Sequence, residues 1–241
     1  MNPGDAPVSV AGIVLAGGRS SRMGEDKAGV AWEGSTLLAR AVGALGAVFC
    51  DLVVVRSRGQ GLPALPEGVR VVEDAHPDRG PLEGLATGLR VAGPGAVAFV
   101  CAADMPLLDS GFAARVLASL VPGADAAVPR VDGRPQPLAA AYRTDVLGPL
   151  EALLAAGGRS VNALLDRLEV RWLDDLPGAA DAVRNVNTPE ELDAARQASR
   201  VKRTSEPAAA SSSTPTPASP VAPAGEVTAT PGTERGDRHT H

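Results

Sequence analysis

One stretch constrains this chain more than any other: Ile13 to Lys27, reading I-V-L-A-G-G-R-S-S-R-M-G-E-D-K. A mostly apolar run, Val8 to Leu15, feeds into it and is bounded by glycine, which is the pattern of a buried strand. Gly17 and Gly18 lack side chains, so the backbone can turn sharply there and come close to a ligand. Arg19, Ser20, Ser21 and Arg22 add backbone amides, hydroxyls and two cations, and Lys27 adds a further cation. Such a loop suits a polyphosphate, because amides cradle the oxygens and cations offset their charge. Spacing excludes two common phosphate loops. Walker A needs Gly-Lys-Ser/Thr, but Glu25-Asp26 separate Gly24 from Lys27. The dinucleotide fingerprint G-x-G-x-x-G is not supplied by Gly17-Gly18-Arg19.

Beyond the loop, strand and helix signals alternate. Ser35 reads as the N-cap of a helix from Thr36 to about Val48, and Leu52 to Val55 as a second strand. Val69 to Glu73 reads as a third strand, and Pro81 suits the first turn of a helix reaching about Val91. Ala96 to Ala102 has the pattern of a fully buried strand, and a helix from about Ser110 follows it. This alternation predicts an α/β fold, a Rossmann-like and mostly parallel sheet flanked by helices. From Ala124 the pattern changes. Two apolar runs flank Asp132-Gly133, a hairpin signal, which predicts a small antiparallel insertion. Glu169 to Leu173 and Ala182 to Val186 read as strands. Thr188-Pro189-Glu190-Glu191 opens the last helix with a capping box. The predicted domain spans residues 8–200. Residues 204–241 are rich in Ala, Pro, Ser and Thr, and are expected to be a disordered tail because they offer little to bury.

Composition narrows the function classes. Apolar residues make up 44% of the 241 residues, enough for a core, but aromatics make up only 2%. Base-stacking platforms for single-stranded nucleic acid are therefore not expected. A net charge of −5 disfavours a general nucleic-acid face, while leaving room for a local basic nucleotide site. No apolar run approaches the ~18 residues of a membrane span, and Met1 to Pro7 does not read as a secretory signal. Cys50 and Cys101 lie in or beside apolar runs and read as buried thiols without metal spacing. A cytoplasmic setting is the simplest expectation.

In open α/β sheets, ligands sit beyond the carboxyl ends of the strands. The Leu15–Lys27 loop, Asp74, Asp104 and the Asn185-Val186-Asn187 segment all fall there. Asp104 follows a buried strand and precedes Met105-Pro106, so it is the best candidate ligand for Mg²⁺, which takes one or two carboxylates plus substrate phosphates. Lys27 would neutralise triphosphate charge as a point cation, and Arg22 as a forked one. Each also has a plainer reading: a turn aspartate before Pro106, a solvated lysine, a solvated arginine.

The stretch resembles the signature L-A-G-G-x-S-x-R-M-G-x-D-K of nucleotidyltransferases that act on small phosphorylated acceptors, matching at every fixed position from Leu15 to Lys27. Within that superfamily the chain is most similar to the molybdenum cofactor guanylyltransferases. Gly80-Pro81-Leu82-x-Gly84, Gln136-Pro137-Leu138 and Asn185-x-Asn187-Thr188-Pro189 match further motifs of that family, and the similarity extends from about Val8 to Ser199. The resemblance implies transfer of GMP from GTP to the phosphate of molybdopterin cofactor, with Mg²⁺ and release of pyrophosphate. It implies catalytic roles for Arg22, Lys27 and Asp104. It places GTP against Leu15, Ala16, Gly17, Gly18, Lys27, Asp74 and Asp104, and the acceptor near Gly80, Asn185 and Asn187. Asp104 would hold the metal. For Asp74, the adjacent Glu73 leaves the register open by one residue. Arg159 is a weaker candidate for the acceptor's phosphate. Where many relatives carry an asparagine at the end of the second strand, this chain has Arg56-Ser57, so no role carries over. The implied partners are GTP and molybdopterin cofactor, with molybdoenzymes or their delivery chaperones as candidate protein partners. No nucleic acid or membrane is expected. Three alternatives stand beside this reading: a cytidylyltransferase for the same cofactor, a nucleotidyltransferase for another phosphorylated metabolite, and a non-catalytic nucleotide-binding protein.

Overall fold

The computed structural model describes residues 8–17, 27–74, 76 and 79–205, apart from the side chains of Lys27 and Ser205. The strands are β1 (Val10–Leu15), β2 (Ala31–Trp32), β3 (Ser35–Thr36), β4 (Asp51–Ser57), β5 (Arg70–Asp74), β6 (Val97–Ala102), β7 (Ala126–Val131), β8 (Arg134–Pro135), β9 (Ala139–Arg143) and β10 (Val170–Leu173). The helices are α1 (Leu37–Gly46), α2 (Pro81–Ala92), α3 (Ser110–Ala118), α4 (Leu147–Ala155), α5 (Val161–Leu165), α6 (Ala179–Ala182) and α7 (Pro189–Ser205). Among the described residues no helix is long and apolar enough to cross a membrane.

The main sheet runs β10-β7-β9-β6-β1-β4-β5, with β8 hydrogen-bonded to β7. β1 pairs in parallel with both β4 and β6, and β4 with β5. β9 runs antiparallel to β6 and to β7. The antiparallel element expected after Ala124 is therefore part of the main sheet. The hairpin turn falls where the sequence places it: Asp132 and Gly133 have φ of 51° and 72°, the left-handed pair that a two-residue turn between twisted strands requires. A separate two-stranded sheet, β2-β3, makes a second such turn at Glu33-Gly34.

Side chains alternate between the two faces of the sheet, and both faces are covered. On one face Ile13, Val53, Val55 and Val100 pack with Leu82, Leu85 and Leu89 of α2, and with Leu150 of α4. On the other, Val14, Val54, Phe99 and Cys101 pack with Leu38 and Leu45 of α1 and Phe112 of α3. The scarce aromatics are concentrated here. Phe99 stacks on Phe49 at 6.2 Å and meets Phe112 edge-on at 6.4 Å, so three aromatic rings share one core face.

Three expectations need correction. Thr36, not Ser35, caps α1, accepting from the Ala39 amide, because Ser35 is engaged with Trp32 in the β2-β3 hairpin. Ala182 to Val186 is not a strand. Ala182 ends α6, whose turn is satisfied locally by Ala182 to Gly178 and Val183 to Ala179 hydrogen bonds. Val183 and Val186 are buried as anchors of a turn and loop instead. Cys50 is exposed, while Cys101 is buried, and both thiols are free. Helix α7 continues to Ser205, and Arg203 donates to both carboxylate oxygens of Glu33. The last helix thus continues beyond residue 200. Residues 206–241 of the expected tail lie outside the described residues.

The Gln136-Pro137-Leu138 segment has a structural anchor. The Tyr142 hydroxyl, on a fully buried ring, donates to the Pro137 carbonyl at 2.7 Å. Tyr142→Phe leaves that carbonyl without this donor and is expected to cost roughly 1 kcal/mol, lowering Tm by about 2–4 °C. Thermal unfolding monitored by circular dichroism checks this, and an unchanged Tm would show that the bond adds nothing.

Candidate active site

The sheet's connectivity creates a crevice at the carboxyl end of β1. From β1 the chain moves outward to β4 and β5, then returns across the sheet to β6 on the other side of β1. Loops leaving the two neighbours diverge at such a switch point, and ligands bind there. Three backbone hydrogen bonds gather the surrounding segments. Ala103 N–H donates to Leu15 O at 3.0 Å, Ala102 N–H to Leu138 O at 3.1 Å, and Val186 N–H to Asp104 O at 3.0 Å. The last bond brings the Asn185–Asn187 segment to the end of β6.

The result is a cavity of about 260 Å³ lined by Leu15, Ala16, Gly17, Asp74, Gly80, Asp104 and Asn185, with Arg56, Ser57 and Leu138 among its other walls. Most of the described candidates thus meet at one place. Asn187 does not line the cavity. Its backbone N–H instead donates to Glu191 Oε2 at 2.6 Å, within the capping box of α7. Thr188 and Glu191 complete that box, as the sequence predicts. Gly18 and Arg22 lie outside the described residues. Lys27 opens a short 3₁₀ turn, Lys27–Gly29, and its side chain is also outside them.

Packing holds these parts in register. Val30, Trp32, Leu107, Val186 and Leu192 form one buried cluster. It joins the chain just after Lys27 to the loop after Asp104, the asparagine segment and α7. Gly80 caps α2 with φ 76° and would place a Cβ only 3.5 Å from the Arg159 carbonyl. Arg159 therefore stands next to the cavity-lining Gly80, although it is not part of the wall.

The pairing of β4 with β5 gives the acidic pair opposite orientations. Arg56 faces Glu73 and Ser57 faces Asp74. Glu73 points outward and accepts from Arg56 Nη2 at 2.8 Å. Asp74 points inward, is 7% exposed and accepts from the His76 N–H at 2.8 Å. Burial pushes the Asp74 carboxyl above its ordinary range. The His76 N–H opposes this, and nearby Glu83 adds to it. Glu83 itself occupies the variable position of the Gly80–Gly84 motif. It is 4% exposed and faced by Arg79, His76 and Arg90 at 3.6, 3.7 and 3.8 Å. Nothing in the motif pattern signals this buried carboxylate.

A raised folded-state value has a definite sign. Ionised Asp74 costs stability above its unfolded value, and that cost fades as pH falls through the folded value. Asp74→Asn is therefore expected to unfold a few degrees higher than the parent at pH 8. The gain should shrink as pH falls through the folded value and be small by about pH 4, close to the ordinary value of an unfolded aspartate. Thermal scans of both proteins from pH 8 to pH 4 check this; a variant less stable at pH 8 would contradict a desolvated carboxylate.

Sequence reading missed Gln60. Its side chain accepts from Ser57 N–H at 2.8 Å and donates to Ala16 O at 3.0 Å. It thereby bridges two cavity walls 44 and 3 residues away. In a run of loop composition, Gly59 to Pro66, no local pattern singles it out. Among the described residues no group of three or more His, Cys, Asp and Glu side chains is arranged to hold a metal ion.

Comparison with known proteins agrees with this architecture. Residues 12–172 match the family model described as the MobA-like NTP transferase domain. A protein of Mycobacterium tuberculosis named probable molybdenum cofactor guanylyltransferase is 40% identical over 200 residues, covering 80% of this chain and 96% of that one. The crystal structure of molybdopterin-guanine dinucleotide biosynthesis protein A from Archaeoglobus fulgidus superposes with a TM-score of 0.63 at 23% identity, over 79% of this chain and 99% of that one. A 2-C-methyl-D-erythritol 4-phosphate cytidylyltransferase from Thermus thermophilus gives 0.59 at 21% identity, over 78% and 98%. At these identities the two structures speak for the fold, whereas the family match and the mycobacterial relative reach further. The chain belongs to the MobA-like NTP transferase family and is a nucleotidyltransferase.

Proposed function

We propose that this enzyme transfers GMP from GTP to the terminal phosphate of molybdopterin cofactor. An oxygen of the acceptor phosphate attacks the α-phosphorus, the bond to the bridging oxygen of the β-phosphate breaks, and pyrophosphate leaves. The observation that carries this reading is the meeting of Leu15–Gly17, Asp74, Gly80, Asp104 and Asn185 around one cavity. A loop built for phosphates, two carboxylates and an amide side chain are the inventory such a transfer needs. The name of the mycobacterial relative supports guanine and the molybdenum cofactor. The fold alone does not choose the base, since a cytidylyltransferase shares it.

In this reading the backbone from Leu15 to Gly18 approaches the nucleotide, and Lys27 and Arg22 offset the triphosphate's charge. Asp74 contacts the nucleotide from the end of β5. Gly80 and Asn185 border the acceptor, with Asn187 two residues further along and Arg159 beside Gly80. Asp104 and Asp74 are hard oxygen donors at one cavity, which fits Mg²⁺, an ion that takes one or two carboxylates and leaves other positions to phosphate and water. When bound, Mg²⁺ supplies charge neutralisation at the phosphates. The acceptor phosphate is already an anionic nucleophile, so no general base is required. Positioning and electrostatics are the whole of the protein's contribution. The product tests this. Incubation with GTP and molybdopterin cofactor should yield a species heavier than the acceptor by one GMP residue in mass spectrometry. A cytidylylated product formed in preference from mixed triphosphates would replace guanine with cytosine in the assignment.

A further inference from the structure

We propose that Gln60 is a positioning residue whose carboxamide takes the place of one rung of the β1–β4 ladder and sets the width at which the nucleotide cleft opens. The ladder is regular up to Ala16, whose N–H donates to Val55 O at 2.8 Å. Continuing the parallel pattern, the next bond would run from Ser57 N–H to Ala16 O. The Gln60 carboxamide stands in that bond instead. Ser57 N–H donates to Gln60 Oε1 at 2.8 Å, and Gln60 Nε2 donates to Ala16 O at 3.0 Å. Both backbone groups are satisfied, but the two strands are separated by the thickness of one amide.

The wedge is itself held. Gln60 N–H donates to Ser57 O at 3.0 Å. Gln60 O accepts from Arg56 Nη1 at 2.9 Å, and Arg56 Nη2 is held by Glu73. Ala16 and Ser57, the two groups it separates, both line the cavity. The phosphate loop leaves directly past this point, since a Cβ on Gly17 would lie 2.9 Å from Ser57 Oγ. A carboxamide of this length is suited to the place because it offers a donor and an acceptor side by side. Without it, the strand ends either close onto each other or leave buried backbone groups unmatched, and in both cases the loop starts from the wrong place.

The inference rests on the cavity being the nucleotide site. Its test is a comparison of Gln60→Met, which keeps the length and fill but has neither donor nor acceptor of the amide kind, with Gln60→Glu, which lacks the donor to Ala16 O at neutral pH. Both should raise KM for GTP about tenfold while kcat at saturating GTP changes less than threefold. Lowering the pH towards protonation of the new carboxyl should shrink the Gln60→Glu defect relative to the parent. If Gln60→Met keeps KM within twofold, the side chain only fills space and the proposal is overturned; loss confined to kcat overturns it as well. A measurement on the unaltered protein covers the case in which the variants do not fold. The Ser57 amide should exchange with deuterium at least tenfold more slowly than the exposed amide of Arg58, and equal rates overturn the rung. A parent enzyme that turns over no nucleoside triphosphate marks failure of the functional reading. An active parent with unaffected variants marks failure of this one.

Discussion

Asp104→Asn is expected to fold like the parent and to turn over about 10²–10³ times more slowly, a loss of roughly 3–4 kcal/mol of transition-state stabilisation. The reasoning is electrostatic. A triphosphate brings several negative charges to an acceptor that is an anionic phosphate, and attack is opposed unless positive charge lies between them. Lys27 and Arg22 can offset part of that charge, but neither holds oxygens in an octahedral arrangement as Mg²⁺ does. The substitution preserves shape and a carbonyl oxygen while removing the formal charge. It also leaves the backbone bond from Val186 to Asp104 in place. Because Asp104 lies beyond β6 and is only half-buried, the core is not touched. Steady-state rates against Mg²⁺ concentration, with Tm recorded alongside, make the comparison. A variant within a few-fold of the parent at limiting Mg²⁺ would make Asp104 a turn residue.

The largest effect on stability is expected at Gly88. Helix α2 lies so close to the sheet that a Cβ at this position would sit 2.6 Å from Ile13 Cγ2 and 3.4 Å from Val55 Cγ2. Ile13 and Val55 are both buried, so any shift must displace their packed neighbours. Gly88→Val adds a branched side chain at that contact. Overpacking of this kind costs roughly 3 kcal/mol, more than the helix-propensity gain of less than about 1 kcal/mol returns. Tm should fall by about 6–12 °C. Denaturant unfolding read as a midpoint checks it, and a midpoint near the parent's would show that α2 can lift from β1 without loss.

The fold was legible where one period dominated locally. β1 and β6 are continuous apolar runs, buried on both faces, and such runs can be little else in an alternating α/β sequence. The caps of α2 and α7 were legible because Pro at N1 and a capping box act within four residues. Boundaries failed where a distant or competing element decided them. Ser35 resembles a cap as much as Thr36 does, and only the hairpin with Trp32 chooses between them. Ala182 to Val186 is bounded by apolar residues like a short strand, yet Val183 and Val186 are buried from a turn and a loop that meets the sheet end through the Val186 to Asp104 backbone bond.

The site divided in the same way. Leu15, Ala16 and Gly17 reach the cavity at the start of a contiguous motif, whereas which of Glu73 and Asp74 faces it could not be read, because that depends on the pairing of β5 with β4. Gln60 was invisible for a different reason. Its partners are Ser57, three residues back, and Ala16, 44 residues away, and they become neighbours only when the parallel ladder forms. Glu83 was hidden likewise, since its cations come from the loop before α2 and from two turns along the helix.

The central claim is acceptor-dependent transfer from a nucleoside triphosphate at the cavity between β1, β4 and β6. Initial rates of pyrophosphate release, measured with GTP, CTP, ATP and UTP, each with and without molybdopterin cofactor, test it most directly. The account predicts release that requires both Mg²⁺ and the acceptor, and that is fastest with GTP. Release that is absent with all four triphosphates in the presence of acceptor and Mg²⁺, or faster with CTP than with GTP, would contradict it.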